Sequence, residues 1–299
     1  MSGIVIIGAG QAGSSLAIKL RTLGYEGAVT LIGEEPYAPY QRPPLSKTYL
    51  LGEMALERLY LRPQELYRDH NIELRLAAQV TAIDPVAGVI PLGHETLAYD
   101  QLALTTGSTP RLLPEAIGGG LKNVFAVRGL ADVDAMRPAF ERGGHVLIIG
   151  GGYIGLEAAA VAAKRGLKVT LVEMAERILQ RVACKETSDY FRDLHQSHGV
   201  TLLEGVGLSR LTGTDQVTGA ILSNGETLDI DFALVGVGIQ PNTGLAEAAG
   251  LTLNNGIETN ALGQTSEARI WAAGDCASFP SDPVGCDQPL GYVGVVPFG

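Results

Sequence analysis

Gly8, Gly10 and Gly13 stand at the spacing G-x-G-x-x-G, directly after the apolar run Ile4–Ile7. The first glycine permits a tight turn, the second lets an anionic group approach the backbone, and the third allows strand and helix to pack closely. Free amides at the start of a following helix then hold phosphate charge, so the chemistry on offer is the binding of a dinucleotide pyrophosphate. Gly150, Gly152 and Gly155 repeat the spacing after Val146–Ile149. Each triad is followed by a carboxylate just past the next apolar run: Glu34 and Glu35 after Val29–Ile32, Glu173 after Val169–Val172. A carboxylate there accepts the adenosine ribose hydroxyls. Of the adjacent pair, Glu34 is preferred because it directly follows Gly33, and the other is then a solvated surface charge. Glu173 also repels a 2′-phosphate, which favours NADH over NADPH. Arg177 lies four residues further on and does not remove that carboxylate.

One such site fits any dehydrogenase. Two in one chain suggest a resident flavin and a diffusing nicotinamide that hands it a hydride. Other residues could take part. Arg42 and Lys47 lie in the proline-stiffened stretch Pro39–Lys47 and could serve phosphate or flavin, or could be surface charges. Glu157, near the start of the second helix, could be a site residue or a helix-dipole partner. The cysteines Cys184, Cys276 and Cys286 are scattered, which leaves a metal site or a dithiol redox centre without support.

The elements that must position these groups follow a repeated strand, glycine turn, helix, strand pattern. In the first copy, Ile4–Ile7 leads to a helix over Ser14–Leu23, ended by Gly24, and to strand Val29–Ile32. In the second, Val146–Ile149 leads to a helix through Arg165, to Gly166, and to strand Val169–Val172. Each copy begins its own parallel sheet, and the fold class is α/β. Between them, Ile72–Arg75, Gln79–Ile83, Gly88–Leu92 and Gln101–Leu104 read as strands. Later, Val200–Leu203, Val217–Leu222 and Thr227–Leu234 carry β alternation with a hairpin signal at Asn224-Gly225, and Ile270–Ala273 is a late strand. Arg192–His198 ends the preceding helix. Ser281–Gly299 loses periodicity and reads as loop or tail.

The 299 residues suffice for two domains. A formal charge of −10 argues against nucleic acid as a partner. Apolar runs are broken well short of the ~20 residues of a spanning helix. No basic segment precedes Ile4, so the expected location is cytoplasmic and away from membranes.

The stretch Pro-Tyr-Gln-Arg-Pro-Pro-Leu-Ser-Lys, Pro39 to Lys47, together with the two glycine triads, resembles the FAD-containing, NADH-dependent ferredoxin reductases of ring-hydroxylating dioxygenase and cytochrome P450 systems. The likeness runs from about Ile4 to Phe279. It implies two Rossmann-like FAD- and NAD-binding domains in three layers, as in the pyridine nucleotide-disulfide reductases. The FAD domain would take 1–109 and 241–280, the NAD domain 110–240, and 281–299 would be a divergent tail. By the same resemblance Arg42 binds the phosphate–ribose region of FAD, and Lys47 lies beside the flavin ring with Glu157 facing it from the nicotinamide side. Val80 brings its backbone to the adenine of FAD, and Asp275, after Gly274, binds a ribityl hydroxyl. Leu104-Thr105-Thr106-Gly107 resembles the segment that leaves the FAD domain, with Thr105 where alanine is usual. Gly236–Asn242, with Gly238, resembles the segment that returns to it and flanks the nicotinamide. The implied reaction passes a hydride from NADH to FAD and single electrons to a [2Fe–2S] ferredoxin.

The resemblance also sets an expectation of departure. The family continues beyond the aspartate motif into a helix that supports the flavin ring and an interface domain, and Ser281–Gly299 resembles neither. The sequence therefore reads as truncated, with weaker FAD retention and a tendency to aggregate expected from apolar surface left open. A disulfide reductase lacks its cysteine pair in Pro39–Leu50. A dinucleotide-binding remnant, or a reductase for rubredoxin or a quinone, remain as alternatives.

Overall fold

The computed structural model describes residues 3–280; the expected tail and Cys286 lie outside the described residues. The chain forms two compact units. One gathers the described parts of Met1–Gln41, Leu59–Thr109 and Pro241–Gly299, the other Arg42–Arg58 and Pro110–Gln240.

The first unit is built on a parallel sheet in the order Ile270–Ala272, Gln101–Leu104, Ile4–Ile7, Val29–Ile32, Ile72–Arg75. Its central strand feeds two cores because successive side chains point to opposite faces. Val5 and Ile7 join Leu102, Leu104 and Ile270 on one side, while Ile6 joins Ala17, Leu31 and Tyr67 on the other. Burial of both faces is what makes this strand read as a continuous apolar run. Helix Gln11–Thr22 covers one face through Ala17, and the hairpin of Val89–Leu92 with Glu95–Ala98 contributes Ile90 and Leu92 to the other. The result is the expected three layers.

The second unit repeats the plan with the parallel order Val200–Glu204, Lys168–Glu173, His145–Ile149, Phe232–Val235, Val124–Ala126. Helix Tyr153–Lys164 follows the central strand. A three-stranded antiparallel sheet of Leu208–Thr212, Gly219–Leu222 and Thr227–Asp229 packs Leu211, Ala220 and Leu222 against Leu147, Ile149 and Val235. The two sheets differ in their outermost strand. In the first unit it follows the other four strands in sequence, as Ile270–Ala272; in the second it precedes the central strand, as Val124–Ala126.

Several expected strands shift. Gln79–Ile83 forms no strand, only a bridge between Val80 and Leu92. The alternation over Thr227–Leu234 divides into an antiparallel strand, Thr227–Asp229, and a parallel one, Phe232–Val235. Asp231 lies at the break, where its carboxylate accepts the His145 amide at 2.7 Å. Helix Leu130–Arg142, with Pro138 inside it, is a further element. Among the described residues, no helix is long and apolar enough to cross a membrane.

Candidate functional site

The two glycine turns have one backbone register. The Gly8 amide donates to Ile32 O and the Gly150 amide to Val172 O, both at 2.8 Å. Helices Gln11–Thr22 and Tyr153–Lys164 start from Gly10 and Gly152, neither with a side-chain cap. Their first turns therefore keep amides without an intrahelical acceptor, which is what a phosphate needs. The three glycines of each turn divide the work as the spacing predicts. Gly8 and Gly150 take φ of +115° and +110°, in the left-handed region. A Cβ on Gly10 or Gly152 would meet nothing within 4 Å, which leaves open space where a pyrophosphate would approach. A Cβ on Gly13 would lie 2.1 Å from Gly8 O, and one on Gly155 2.0 Å from Gly150 O. Both turns thus fit a dinucleotide in shape and in donors.

The carboxylates differ. Glu173, last in its strand, accepts the Gly151 amide at 2.6 Å and the Ala175 amide at 2.7 Å, so it is held inside the turn. Arg177 is engaged elsewhere, donating to Ser188 Oγ at 2.6 Å and to the carbonyl of Cys184 at 3.3 Å. In the first unit the register places Gly33, not a glutamate, opposite the turn; a Cβ there would lie 2.6 Å from Ala9 Cβ. Glu34 is exposed and takes a weak contact from Gln79 Nε2 at 3.4 Å, whereas Glu35 accepts the Tyr40 hydroxyl at 2.5 Å.

Lys47 and Glu157 meet, with Nζ to Oε1 at 2.9 Å. The helix begins at Tyr153, so Glu157 lies on its second turn and is no first-turn dipole partner. Ser46, which the sequence reading leaves unassigned, donates from Oγ to Glu157 Oε2 at 2.8 Å. The two oxygens of one carboxylate thus have separate partners from adjacent residues. Those residues are presented by the π-turn Leu45–Tyr49, where Lys47 leaves helical geometry with φ −124° and ψ −109°. The segment is anchored within its unit. Leu45 and Leu50 are buried, Tyr49 donates to Asp134 at 3.0 Å, and Arg165 donates to Leu51 O at 2.6 Å. Arg42 donates to the carbonyl of Arg128 at 2.6 Å.

The remaining candidates fall in the first unit, apart from Gly238. Gly274, at φ +81°, packs its backbone on Ala12 of the glycine-turn helix, 3.0 Å from a virtual Cβ. Asp275 accepts Ser108 Oγ at 3.0 Å. Thr106 donates to Asn242 O at 2.7 Å, and the Asn242 amide donates to Gly107 O at 2.9 Å. Val80 is buried by its bridge to Leu92. Gly238 accepts the Arg111 amide at 2.9 Å. Cys276 is fully buried, and burial pushes its thiol up, which fits a packing role and not a nucleophile. Thr105 finds the partner its departure from alanine calls for: its hydroxyl lies 2.8 Å from Gly8 O.

The sequence matches the family of the pyridine nucleotide-disulphide oxidoreductases over residues 2–289. It is 41% identical to putidaredoxin reductase CamA of Pseudomonas putida over 93% of this chain and 67% of that protein. It is 39% identical to rhodocoxin reductase of Rhodococcus erythropolis, over 93% of this chain and 65% of that protein. Its fold is similar to the crystal structure of the covalent putidaredoxin reductase–putidaredoxin complex, with a TM-score of 0.89 and 40% identity, covering 94% of this chain and 69% of that one. The chain thus spans about two thirds of the length of the relatives it matches.

Proposed function

The chain belongs to the pyridine nucleotide-disulphide oxidoreductases, in the branch of the ferredoxin reductases, and from that premise we propose that it passes a hydride from NADH to FAD and single electrons to a [2Fe–2S] ferredoxin of an oxygenase system. One observation carries the reading: one chain holds two glycine turns with the same hydrogen-bond register and also a paired lysine and glutamate. The turn at Gly8, Gly10 and Gly13, with Glu34 or Glu35, Thr106, Gly107 and Asp275, would hold FAD. The turn at Gly150, Gly152 and Gly155, with Glu173 and Gly238, would hold NADH. In net terms one NADH and two oxidised ferredoxins become NAD⁺, two reduced ferredoxins and a proton.

Bound FAD supplies the conversion of one two-electron transfer into two one-electron transfers. The protein binds, orients and stabilises charge. Lys47 offers a fixed cation where negative charge develops. Glu157 keeps that cation paired, and Ser46 holds the carboxylate so that one oxygen remains turned to Lys47. Glu173, already fixed by two backbone amides, presents its charge to the adenosine ribose without reorganising, which favours NADH over its 2′-phosphorylated form.

Acceptor assays test the reading. Purified chain should reduce ferricyanide with NADH, and cytochrome c only when a [2Fe–2S] ferredoxin is added. Ferricyanide reduction without the ferredoxin-dependent step would remove the partner, and bound FAD with no NADH oxidation would remove the reductase.

A further inference from the structure

The residue that follows Gln101–Leu104 in the first sheet and Phe232–Val235 in the second, each a neighbour of its central strand, is where the two units differ. Thr105 follows Gln101–Leu104, and its amide donates to Ile7 O at 2.8 Å. Gly236 follows Phe232–Val235, and its amide donates to Ile149 O at 2.8 Å. The positions are equivalent in backbone, yet one carries a hydroxyl and the other no side chain. Thr105 is buried, and its Oγ1 lies 2.8 Å from Gly8 O and 3.1 Å from Ile7 O. A carbonyl can only accept, so the hydroxyl is the donor, and Gly8 O is the nearer of its two acceptors.

Gly8 O is thereby held from two sides. Gly13 packs against it so closely that no Cβ fits, and Thr105 donates to it. Because the peptide is planar and trans, fixing that carbonyl also fixes the Ala9 N–H, which points the opposite way. Gly150 O is crowded by Gly155 to the same degree, with a virtual Cβ at 2.0 Å, but position 236 offers it no hydroxyl.

We propose that Thr105 is a positioning residue that locks the first glycine turn in its phosphate-receiving form, so that the dinucleotide of this unit is retained while that of the second exchanges. The inference rests on the assignment of FAD to the first unit and NADH to the second. A turn already ordered before binding loses less freedom when it binds, and the loss of one such hydrogen bond corresponds to about a tenfold change in retention.

Three variants test it: Thr105→Ala, Thr105→Val, which keeps the volume without the hydroxyl, and Thr105→Ser, which keeps the hydroxyl. FAD-loaded protein is diluted and the fluorescence of released flavin is followed, with no turnover involved. T105A and T105V should release FAD about tenfold faster than the unaltered chain, and T105S at the original rate. Equal release from T105V and T105S would overturn the lock even if T105A fails to fold. An unaltered chain that takes up no added FAD would instead overturn the assignment on which the lock rests, and the lock with it.

Discussion

The turn at Gly8 and the turn at Gly150 share hydrogen-bond register, left-handed first glycines and open second ones, but each is closed from a different side. In the first, a neutral hydroxyl reaches the turn carbonyl from Thr105, just after strand Gln101–Leu104, and the acidic residues stand outside at Glu34 and Glu35. In the second, Gly236 follows strand Phe232–Val235, and the charged Glu173, last in strand Lys168–Glu173, takes the Gly151 amide. The facing residues change accordingly: Ala9 meets Gly33 in one unit, and Gly151 meets Glu173 in the other. On the proposed assignment, one backbone device is tuned for retention in the first unit and for selectivity in the second by the residue beside it.

The largest effects should come from the glycines both units share. Gly13→Ala and Gly155→Ala each force a Cβ against a backbone carbonyl, an overlap that no rotamer relieves, at a cost of about 3 kcal/mol. G13A should lose bound flavin, while G155A should keep it and lose NAD⁺ binding in calorimetry. The same defect from both variants would break the division of roles. Next, Lys47→Met should slow flavin reduction by NADH about 100-fold in stopped-flow absorbance, with a smaller change in NADH affinity. An unchanged reduction rate would contradict the role given to Lys47.

How far the sequence exposed this arrangement depends on how local each feature is. The glycine triads and the strands before them lie within short windows, so spacing and apolar runs reveal them. The hairpin strand Glu95–Ala98 is mostly exposed and presents no apolar run. Leu208–Thr212 likewise buries only Leu211. Helix Leu130–Arg142 hides behind Pro138, although Leu130, Val133, Met136 and Phe140 lie on its buried side and their spacing was the available signal. The partner of Ser46 lies 111 residues away, beyond any local pattern. Lys47 and Glu157 could be paired in advance only through the family resemblance, and Thr105 stood out only as a departure from it.

Acid should separate the units further. Ile4 and His145 open equivalent central strands, and His145 is buried between Asp229 O at 2.7 Å and Thr170 Oγ1 at 2.9 Å. The carbonyl requires a proton on Nδ1, which leaves Nε2 to accept from the threonine. Burial lowers the imidazole below its ordinary 6.5, with Lys168 acting in the same direction. The unfolded chain therefore binds a proton before the folded one does, so the stability of the second unit is full above about pH 6.5 and falls as pH drops towards the depressed value. Once exchange rates are corrected for their intrinsic slowing in acid, the protection of strand His145–Ile149 should fall below that pH while that of Ile4–Ile7 holds. His145→Gln should flatten the dependence.

The smallest expected effect is the reciprocal of the Thr105 test. Gly236 lies outside the left-handed region, and a Cβ there would come no nearer than 3.6 Å to its closest neighbour, so Gly236→Thr should fold. It should tighten NAD⁺ binding about threefold in calorimetry; weaker binding by a folded variant would show that the hydroxyl acts only in the first turn's setting.

The absorbance spectrum of the FAD-loaded chain, recorded before and after anaerobic addition of NADH, bears most directly on the claim that a held flavin receives a hydride from a visiting nicotinamide. The account requires the flavin bands to bleach with one equivalent of NADH and to return on adding ferricyanide. A flavin spectrum that stays unchanged while NADH remains unoxidised would contradict it.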